Sequence, residues 1–379
     1  MHVIGLIAEY NPFHLGHRYQ IRKIKELYPD SLIIAVISTC FTQRGDISIM
    51  NKWHKTRICL EEDIDLILEL PTLYATQGAD MFAYGALKIL NEFHIDTLVF
   101  GSESDDTESL IKLANIQLSN KDYQSLVKNY LDEGLNYPTA MSKALKDITN
   151  TTVDKPNDIL ALSYIKEIIK NNYPITPVSI KRTNDYHAEQ LTDGSNIISA
   201  SLIRKIYLQG LSVAIHVPNG TDDFYYPRLS MESAFPLISY SIVANKEHLN
   251  TYLDIDEGVD SRILKFLYKS TSYQELVNSI KTKRYTYNKI NRMLLHILLN
   301  IKKEDNTKDI YLRVLGFNFE GRMYLSRIKK KLNYPVITSY KPNISPVLDI
   351  EYRTTYIYSL ITKDRTLLKK ETGNSLVIR

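Results

Sequence analysis

The sequence predicts an α/β fold, a doubly wound parallel sheet followed by a mainly helical, basic C-terminal domain, on three observations. Short apolar runs without polar alternation recur through the first 100 residues, separated by helix-length segments, as strands of a sheet covered on both faces do. Beyond Pro218 helical periodicity takes over and strand candidates become few. The charge divides as well, with 23 Lys/Arg against 34 Asp/Glu in residues 1–260 and 24 against 9 in residues 261–379.

His2 to Ala8 reads as the first strand and Gly16 to Leu27 as the helix behind it. Strands over Leu32–Ser38, Leu66–Leu70 and Thr97–Gly101 alternate with helices over Lys52–Glu62 and Met81–Phe93. Residues 104–150 read as a helical insertion, Asn157–Ile169 as a helix and Ile175–Lys181 as a fifth strand. The sheet domain is expected to span 1–215, with ligands at the carboxyl ends of its strands. Val217 to Arg228, holding two prolines, a glycine and two aspartates, suits a linker. The remaining domain, 216–379, is expected to contain helices over Ser261–Lys269, Tyr273–Lys281, Tyr287–Leu299 and Gly321–Lys331.

A chain of 379 residues with 44% hydrophobic and 24% charged residues buries a sizeable core, which excludes a disordered tail or a small disulfide scaffold. Its longest apolar runs fall far short of the ~20 residues needed to cross a bilayer, so no membrane association is expected. Met1 to Ala8 opens directly into a strand-like run, so no export signal is expected. Only Cys40 and Cys59 are present, which argues against a disulfide framework or a four-cysteine zinc site and fits a reducing cytoplasm. No metal site is expected. The basic segment 261–379 carries 11 of the 27 tyrosines and reads either as a nucleic-acid surface or as a solvated face of a helical domain. Candidate phosphate contacts are Lys281, Lys283 and Arg284 beside Tyr285 and Tyr287, and the cluster Arg327, Lys329, Lys330 and Lys331.

The most informative stretch is AEYNPFHLGHRYQ, Ala8 to Gln20, in which a strand ends at Asn11 and Pro12 and a His-x-Gly-His segment opens a helix. A helix N-terminus offers free N–H groups and partial positive charge to an anion, and Gly16 allows close approach. His14 and His17 beside the same oligophosphate would stabilise charge developing on the α-phosphate and the departing pyrophosphate, the electrostatic task of adenylyl transfer. The bland reading of the pair is helix capping or core packing. The order of elements resembles the nucleotidyltransferase superfamily, which includes pantetheine-phosphate adenylyltransferase, pantothenate synthetase and class I aminoacyl-tRNA synthetases. ISASLIRK, Ile198 to Lys205, resembles a second segment of that superfamily, in which Ser199, Ser201 and Arg204 would hold the β- and γ-phosphates at a helix start.

Within that superfamily the chain is similar to the tRNA(Met) cytidine acetate ligases. The segments that carry the resemblance are IAEYNPFHLGHRYQ (Ile7 to Gln20), FTQRGDISIMNKW (Phe41 to Trp53), LILELPTLYATQGADMFAYGA (Leu66 to Ala86), FGSE (Phe100 to Glu103), KPNDILALSYIKE (Lys155 to Glu167) and RVLGFNFEGR (Arg313 to Arg322). Where the family commonly has Ser-Gly-Asn, this chain has Ser38, Thr39 and Cys40. The resemblance implies a Rossmann-like sheet of the nucleotidyltransferase type. It also implies an enzyme that activates acetate with ATP to acetyl-adenylate and moves the acetyl group to the wobble cytidine of elongator tRNA(Met), giving N4-acetylcytidine. ATP would be a substrate, with Mg2+ carried by its phosphates. No tightly bound cofactor and no protein partner are implied. His14 and His17 would be catalytic. ATP contacts would come from Ile7, Ala8, Glu9, Tyr10, Asn11, Pro12, Phe13, His14, Leu15, Gly16, His17, Arg18, Tyr19 and Gln20, with Gly101, Asn157 and Arg182 further along the chain.

Gln43 and Arg44, in the loop Gln43–Asp46 after the second strand, are candidates for the acetate or pyrophosphate side, and Lys52 is a further candidate phosphate contact. Two rival readings exist. A small-molecule nucleotidyltransferase joining AMP or CMP to a phosphorylated metabolite would use the same histidines but would not need the basic segment. A non-catalytic RNA-binding protein on the same fold would leave the histidines as caps and turn over no ATP.

Overall fold

The computed structural model describes residues 1–182, 196–256, 258–307, 309–373 and 375–379. Its first half runs β1 (Val3–Ala8), α1 (Leu15–Leu27), β2 (Leu32–Ser38), α2 (Lys52–Glu61), β3 (Leu66–Leu70), α3 (Thr72–Ala75), α4 (Ala79–Glu92) and β4 (Thr97–Ser102). Then come α5 (Thr107–Ser119), α6 (Lys121–Asp132), α7 (Tyr137–Thr149), α8 (Pro156–Lys170), β5 (Thr176–Lys181) and α9 (Ala200–Leu208). The C-terminal part comprises α10 (Met231–Ala244), α11 (Val259–Leu267), α12 (Tyr273–Ile280), α13 (Tyr287–Leu299), β6 (Leu312–Phe317), α14 (Phe319–Ile328), β7 (Val336–Ile337), α15 (Pro346–Ile361), α16 (Thr366–Thr372) and β8 (Val377–Ile378).

The strands lie in the order β5-β4-β1-β2-β3-β6-β7, with β8 paired to β6. β1 through β5 pair in parallel, and the order reverses at β1, whose neighbours are β2 on one side and β4 on the other. That reversal opens a crevice at the carboxyl ends of β1 and β4. The apolar runs lack alternation because both faces are covered: Ile33, Ile34, Ala35, Val36 and Ile37 are all fully buried, split between two core clusters. All five expected strands, and the helices α1, α2, α8, α12 and α13, match their expected ranges to within a residue at each end.

The C-terminal part is less separate than its helical periodicity suggests. β6 returns to the sheet antiparallel to β3, pairing Leu66 with Phe317 and Leu68 with Val314, so the sheet is mixed and is not confined to residues 1–215. Arg313 interrupts the apolar pattern of β6 and disguises it as a loop. Its guanidinium is buried and neutralised by Glu69 and Glu371, with Nη1 at 3.3 Å from Glu69 Oε2 and 2.5 Å from Glu371 Oε2.

Lys52 belongs to the same buried cluster, which corrects its expected role as a phosphate contact. Its Nζ bonds Glu69 Oε1 at 2.6 Å, meets Glu371 and lies 3.5 Å from Glu351 Oε1. Glu351 Oε2 in turn accepts the Thr72 N–H and hydroxyl at 2.8 and 2.7 Å. Burial raises the Glu351 carboxyl, whereas Lys52 and Arg313 overcome the burial of Glu371 and hold it at about 2. A charge so enclosed persists only with partners. These pairs tie α2 and β3 to β6, α15 and α16.

Candidate active site

His14 is the N-cap of α1. Its Nδ1 accepts the Gly16 N–H at 3.0 Å, and His17 Nδ1 accepts the His14 N–H at 3.1 Å. The rings stack with centroids 3.8 Å apart. An imidazole whose Nδ1 accepts an N–H carries its proton on Nε2 when neutral. Both rings are held neutral: burial, then the Arg182 charge, lowers His14 to about 3, and burial, His14 and Arg182 push His17 well below its usual value. Gly16 is required here, because a Cβ would stand 2.8 Å from His14 Cε1. Tyr10, at φ 44° and buried, presents its ring edge-on to His17 with centroids 4.8 Å apart.

The pair lines a cleft of about 800 Å³ at the crevice, walled by the β1 and β4 ends, the insertion helix α7, α8, the start of α9 and the start of α13. Arg44, Arg182 and Arg204 border it from the sheet side, and Arg284, Lys289 and Arg292 from the C-terminal part. Cations on both sides suit a polyanionic ligand.

The loop after β2 is fixed against the cleft from two directions. Asn11 Oδ1 accepts the Ile49 N–H at 2.9 Å and its Nδ2 donates to Ile47 O at 3.1 Å. Arg204 Nη1 donates to Asn11 O at 2.6 Å and Nη2 lies 3.5 Å from Asp46 Oδ2. On the other side Gly45, at φ +80°, lies so close to α13 that a Cβ would meet Asn291 C at 2.7 Å, and Arg292 Nη1 donates to Gln43 O at 3.3 Å.

Of the residues expected from the sequence, Ile7, Ala8, Glu9, Tyr10, Asn11, His14, His17 and Gln20 line the cleft, as do Gly101, Asn157, Arg182, Gln43, Arg44, Ser199, Ser201 and Arg204. Gly16 and Tyr19 line a small adjoining cavity of about 50 Å³. Pro12, Phe13, Leu15 and Arg18 line neither. Phe13 is core, and Arg18 forms a bidentate pair with Glu62 at 2.6 Å, so its fork is already filled. Asn157 Nδ2 donates to Glu103 Oε1 at 2.5 Å. Gly101 has room for a Cβ against the protein, at 3.4 Å from Arg182 Cγ, so the open space above it belongs to the cleft.

The two basic clusters separate. Arg284 reaches the cleft, with Lys281 stacked over Tyr287 at 5.4 Å and Lys283 exposed nearby. Arg327, Lys329, Lys330 and Lys331 are exposed toward the amino end of the parallel strands, where Tyr324 Oη donates to Phe93 O and the Asn333 N–H to Glu92, ahead of β4.

Sequence reasoning missed Lys55, whose Nζ donates to the carbonyls of Glu9, Ser38 and Thr39 at 2.8, 3.0 and 3.1 Å, capping the ends of β1 and β2; burial lowers it to about 8. A second lysine one turn after Lys52, followed by the apolar run Ile58–Leu60, was the available signal. The contribution of Lys289, Arg292 and Asp254 to the cleft carried no local signal.

The family described as HIGH Nucleotidyl Transferase matches residues 1–373. A tRNA(Met) cytidine acetate ligase of Bacillus subtilis is 36% identical, covering 95% of this chain and 92% of that protein. One from Caldicellulosiruptor saccharolyticus is 34% identical, covering 96% of this chain and 95% of that protein. The crystal structure of Thermotoga maritima TmcAL bound with alpha-thio ATP superposes with a TM-score of 0.88 at 26% identity, covering all of both chains. On the extent of these matches the chain belongs to the tRNA(Met) cytidine acetate ligase family, within the HIGH nucleotidyl transferases.

Proposed function

We propose that the cleft binds ATP and acetate, joins them as acetyl-adenylate, and passes the acetyl group to the wobble cytidine of elongator tRNA(Met). The observation that carries this reading is the stacked neutral pair His14 and His17, whose Nδ1 atoms are occupied by backbone N–H groups. Each ring is left with an Nε2–H donor in a cleft that Arg44, Arg182 and Arg204 also border. Fixed donors of this kind stabilise charge developing on the α-phosphate and pyrophosphate without reorganising during the reaction.

Acetate attacks the α-phosphate in line, a step that needs positioning and no protein nucleophile. Among the described residues no group of three or more His, Cys, Asp or Glu side chains is placed to hold a metal ion, so magnesium would arrive on the ATP oxygens. The cytidine would enter splayed from its loop between α7 and the start of α13, where Asn136 Nδ2 donates to Lys283 O at 3.4 Å. Lys281, Lys283 and Arg284 would meet the RNA backbone there. No helix among the described residues is long and apolar enough to cross a membrane, and a tRNA substrate would put the enzyme in the cytoplasm. Incubation with ATP, acetate and tRNA(Met) tests the whole reading: N4-acetylcytidine at the wobble position supports it, and AMP or CMP transferred to a small phosphorylated acceptor would favour the rival nucleotidyltransferase.

A further inference from the structure

Acetyl transfer to cytidine has a chemical requirement that the histidine pair does not meet. The exocyclic amine is a poor nucleophile and must lose a proton as its nitrogen bonds to the acetyl carbon. His14 and His17 have Nδ1 occupied by backbone N–H groups and Nε2 protonated, so neither ring has a lone pair free for that proton.

Four carboxylates line the cleft among the described residues: Glu9, Asp46, Asp80 and Asp254. Three are committed to cations. Asp46 faces Arg204 at 3.5 Å, Asp80 binds Lys166 at 2.7 Å and accepts from Ser163 at 3.0 Å, and Asp254 meets Arg292 at 3.3 Å. Glu9 is different. It follows directly on β1, its Oε1 accepts the Gln43 N–H at 2.6 Å, and it takes part in none of the ion pairs among the described residues. Its position is fixed twice over, because Lys55 Nζ also holds its backbone carbonyl at 2.8 Å.

The groups around Glu9 come from four elements. Burial raises its carboxyl above the usual range, against the smaller effects of the Gln43 N–H and of the charges on Arg44, Lys55 and Arg204. Tyr164, on α8, feels the Glu9 charge from the other wall and is itself held protonated mainly by burial. A carboxylate whose proton affinity is raised toward the operating pH is better matched to general-base work than an ordinary surface aspartate.

We propose that Glu9 is the general base of acetyl transfer, its second carboxylate oxygen taking the proton from the cytidine amine as that nitrogen attacks the acetyl carbonyl. This rests on the acetate-ligase reading above. In the step, the bond between N4 and the acetyl carbon forms and the bond between that carbon and the phosphate oxygen breaks. The electron pair of the broken bond leaves with AMP, and the amine proton ends on Glu9, from which it passes to water.

The test separates the half-reactions. Prepared acetyl-adenylate and tRNA(Met) are supplied to wild-type, Glu9→Gln and Glu9→Asp proteins, and single-turnover transfer is followed across pH; acetyl-adenylate formation from ATP and acetate is measured on the same proteins without tRNA. Wild-type transfer should rise with pH to a plateau. Glu9→Gln should lose ~10²-fold or more in transfer and lose the rising limb, with a smaller loss in adenylate formation. Glu9→Asp, which keeps an acid in a displaced position, should keep a limb at a shifted pH and a reduced rate; this variant decides the matter if Glu9→Gln does not fold. Wild-type transfer by Glu9→Gln, equal losses in both half-reactions, or an unshifted limb at full rate in Glu9→Asp would overturn the assignment. Wild-type protein that forms no acetyl-adenylate would instead overturn the acetate-ligase reading itself, a result that adenylate formation reports before transfer is measured.

Discussion

His17 Nδ1 accepts the backbone N–H of His14 at 3.1 Å while the two rings stack 3.8 Å apart, so the atoms that cap α1 also fix the tautomer of the rings in the cleft. Capping and chemistry are one arrangement here. The bland reading of the pair and the catalytic one are therefore compatible, and they separate only in a variant that preserves the cap while deleting the Nε2–H.

His14→Asn is that variant. An asparagine oxygen can still accept at the helix start, where Asn is a preferred cap, but it cannot reproduce the imidazole donor. Acetyl-adenylate formation should fall ~10²-fold or more while the melting temperature changes little. Full activity in a folded His14→Asn protein would leave His14 as a cap alone. His17→Ala should lose rate by a similar factor and also ~1 kcal/mol of stability, since the His14 N–H loses its acceptor.

Acid should destabilise the protein through this pair. His14 has its proton affinity lowered on folding, so between about pH 6.5 and about 3 the unfolded chain binds more protons and stability falls as pH falls through that window. His17 acts in the same direction. Denaturant unfolding at a series of pH values should show this slope in the wild type and a shallower one in His14→Asn; equal slopes would mean that the rings are not held neutral by the fold.

Lys52→Met should act on stability and not on ATP binding. Removing the lysine leaves Glu69, Glu351 and Glu371 buried with Arg313 as their remaining cation. Breaking such a cluster from one side costs ~3–5 kcal/mol. Chemical denaturation checks the loss, and the folded fraction should keep its KM for ATP within about twofold. A stable variant with a greatly raised KM would return Lys52 to the phosphates.

The two basic clusters should differ in their effect on tRNA. Neutralising Lys281, Lys283 and Arg284, beside the cleft, should weaken binding and flatten its salt dependence, because each lost phosphate contact lowers the counterion-release slope by ~0.7 to 0.9. The same change at Arg327, Lys329, Lys330 and Lys331, across the sheet, should matter less for a tRNA whose anticodon loop occupies the cleft. Dissociation constants over a salt series decide this; a larger effect from the second cluster would move the RNA to the opposite end of the parallel strands.

Much of the fold was legible because burial on both faces writes an unmistakable pattern. Leu32–Ser38 and Leu66–Leu70 are apolar runs apart from the terminal Ser38 and Glu69, and both are strands over those residues. β6 was not legible, because Arg313, its second residue, is tolerated only through Glu69 and Glu371, residues that are distant in sequence. Lys52 misled for the same reason: a lysine near a phosphate-site motif and a lysine inside an ion cluster look alike until their partners are known. The site motif was legible in the order strand, His14, Gly16, His17, helix, whereas the cleft's far wall at Asp254, Lys289 and Arg292 depends on tertiary packing alone.

The cleft should activate acetate without help from RNA. Purified protein incubated with ATP and acetate, with tRNA absent, should form acetyl-adenylate and release pyrophosphate in an acetate-dependent manner, and His14→Asn should suppress both. Pyrophosphate release that requires tRNA or a phosphorylated small molecule, with no acetyl-adenylate detected, would contradict it.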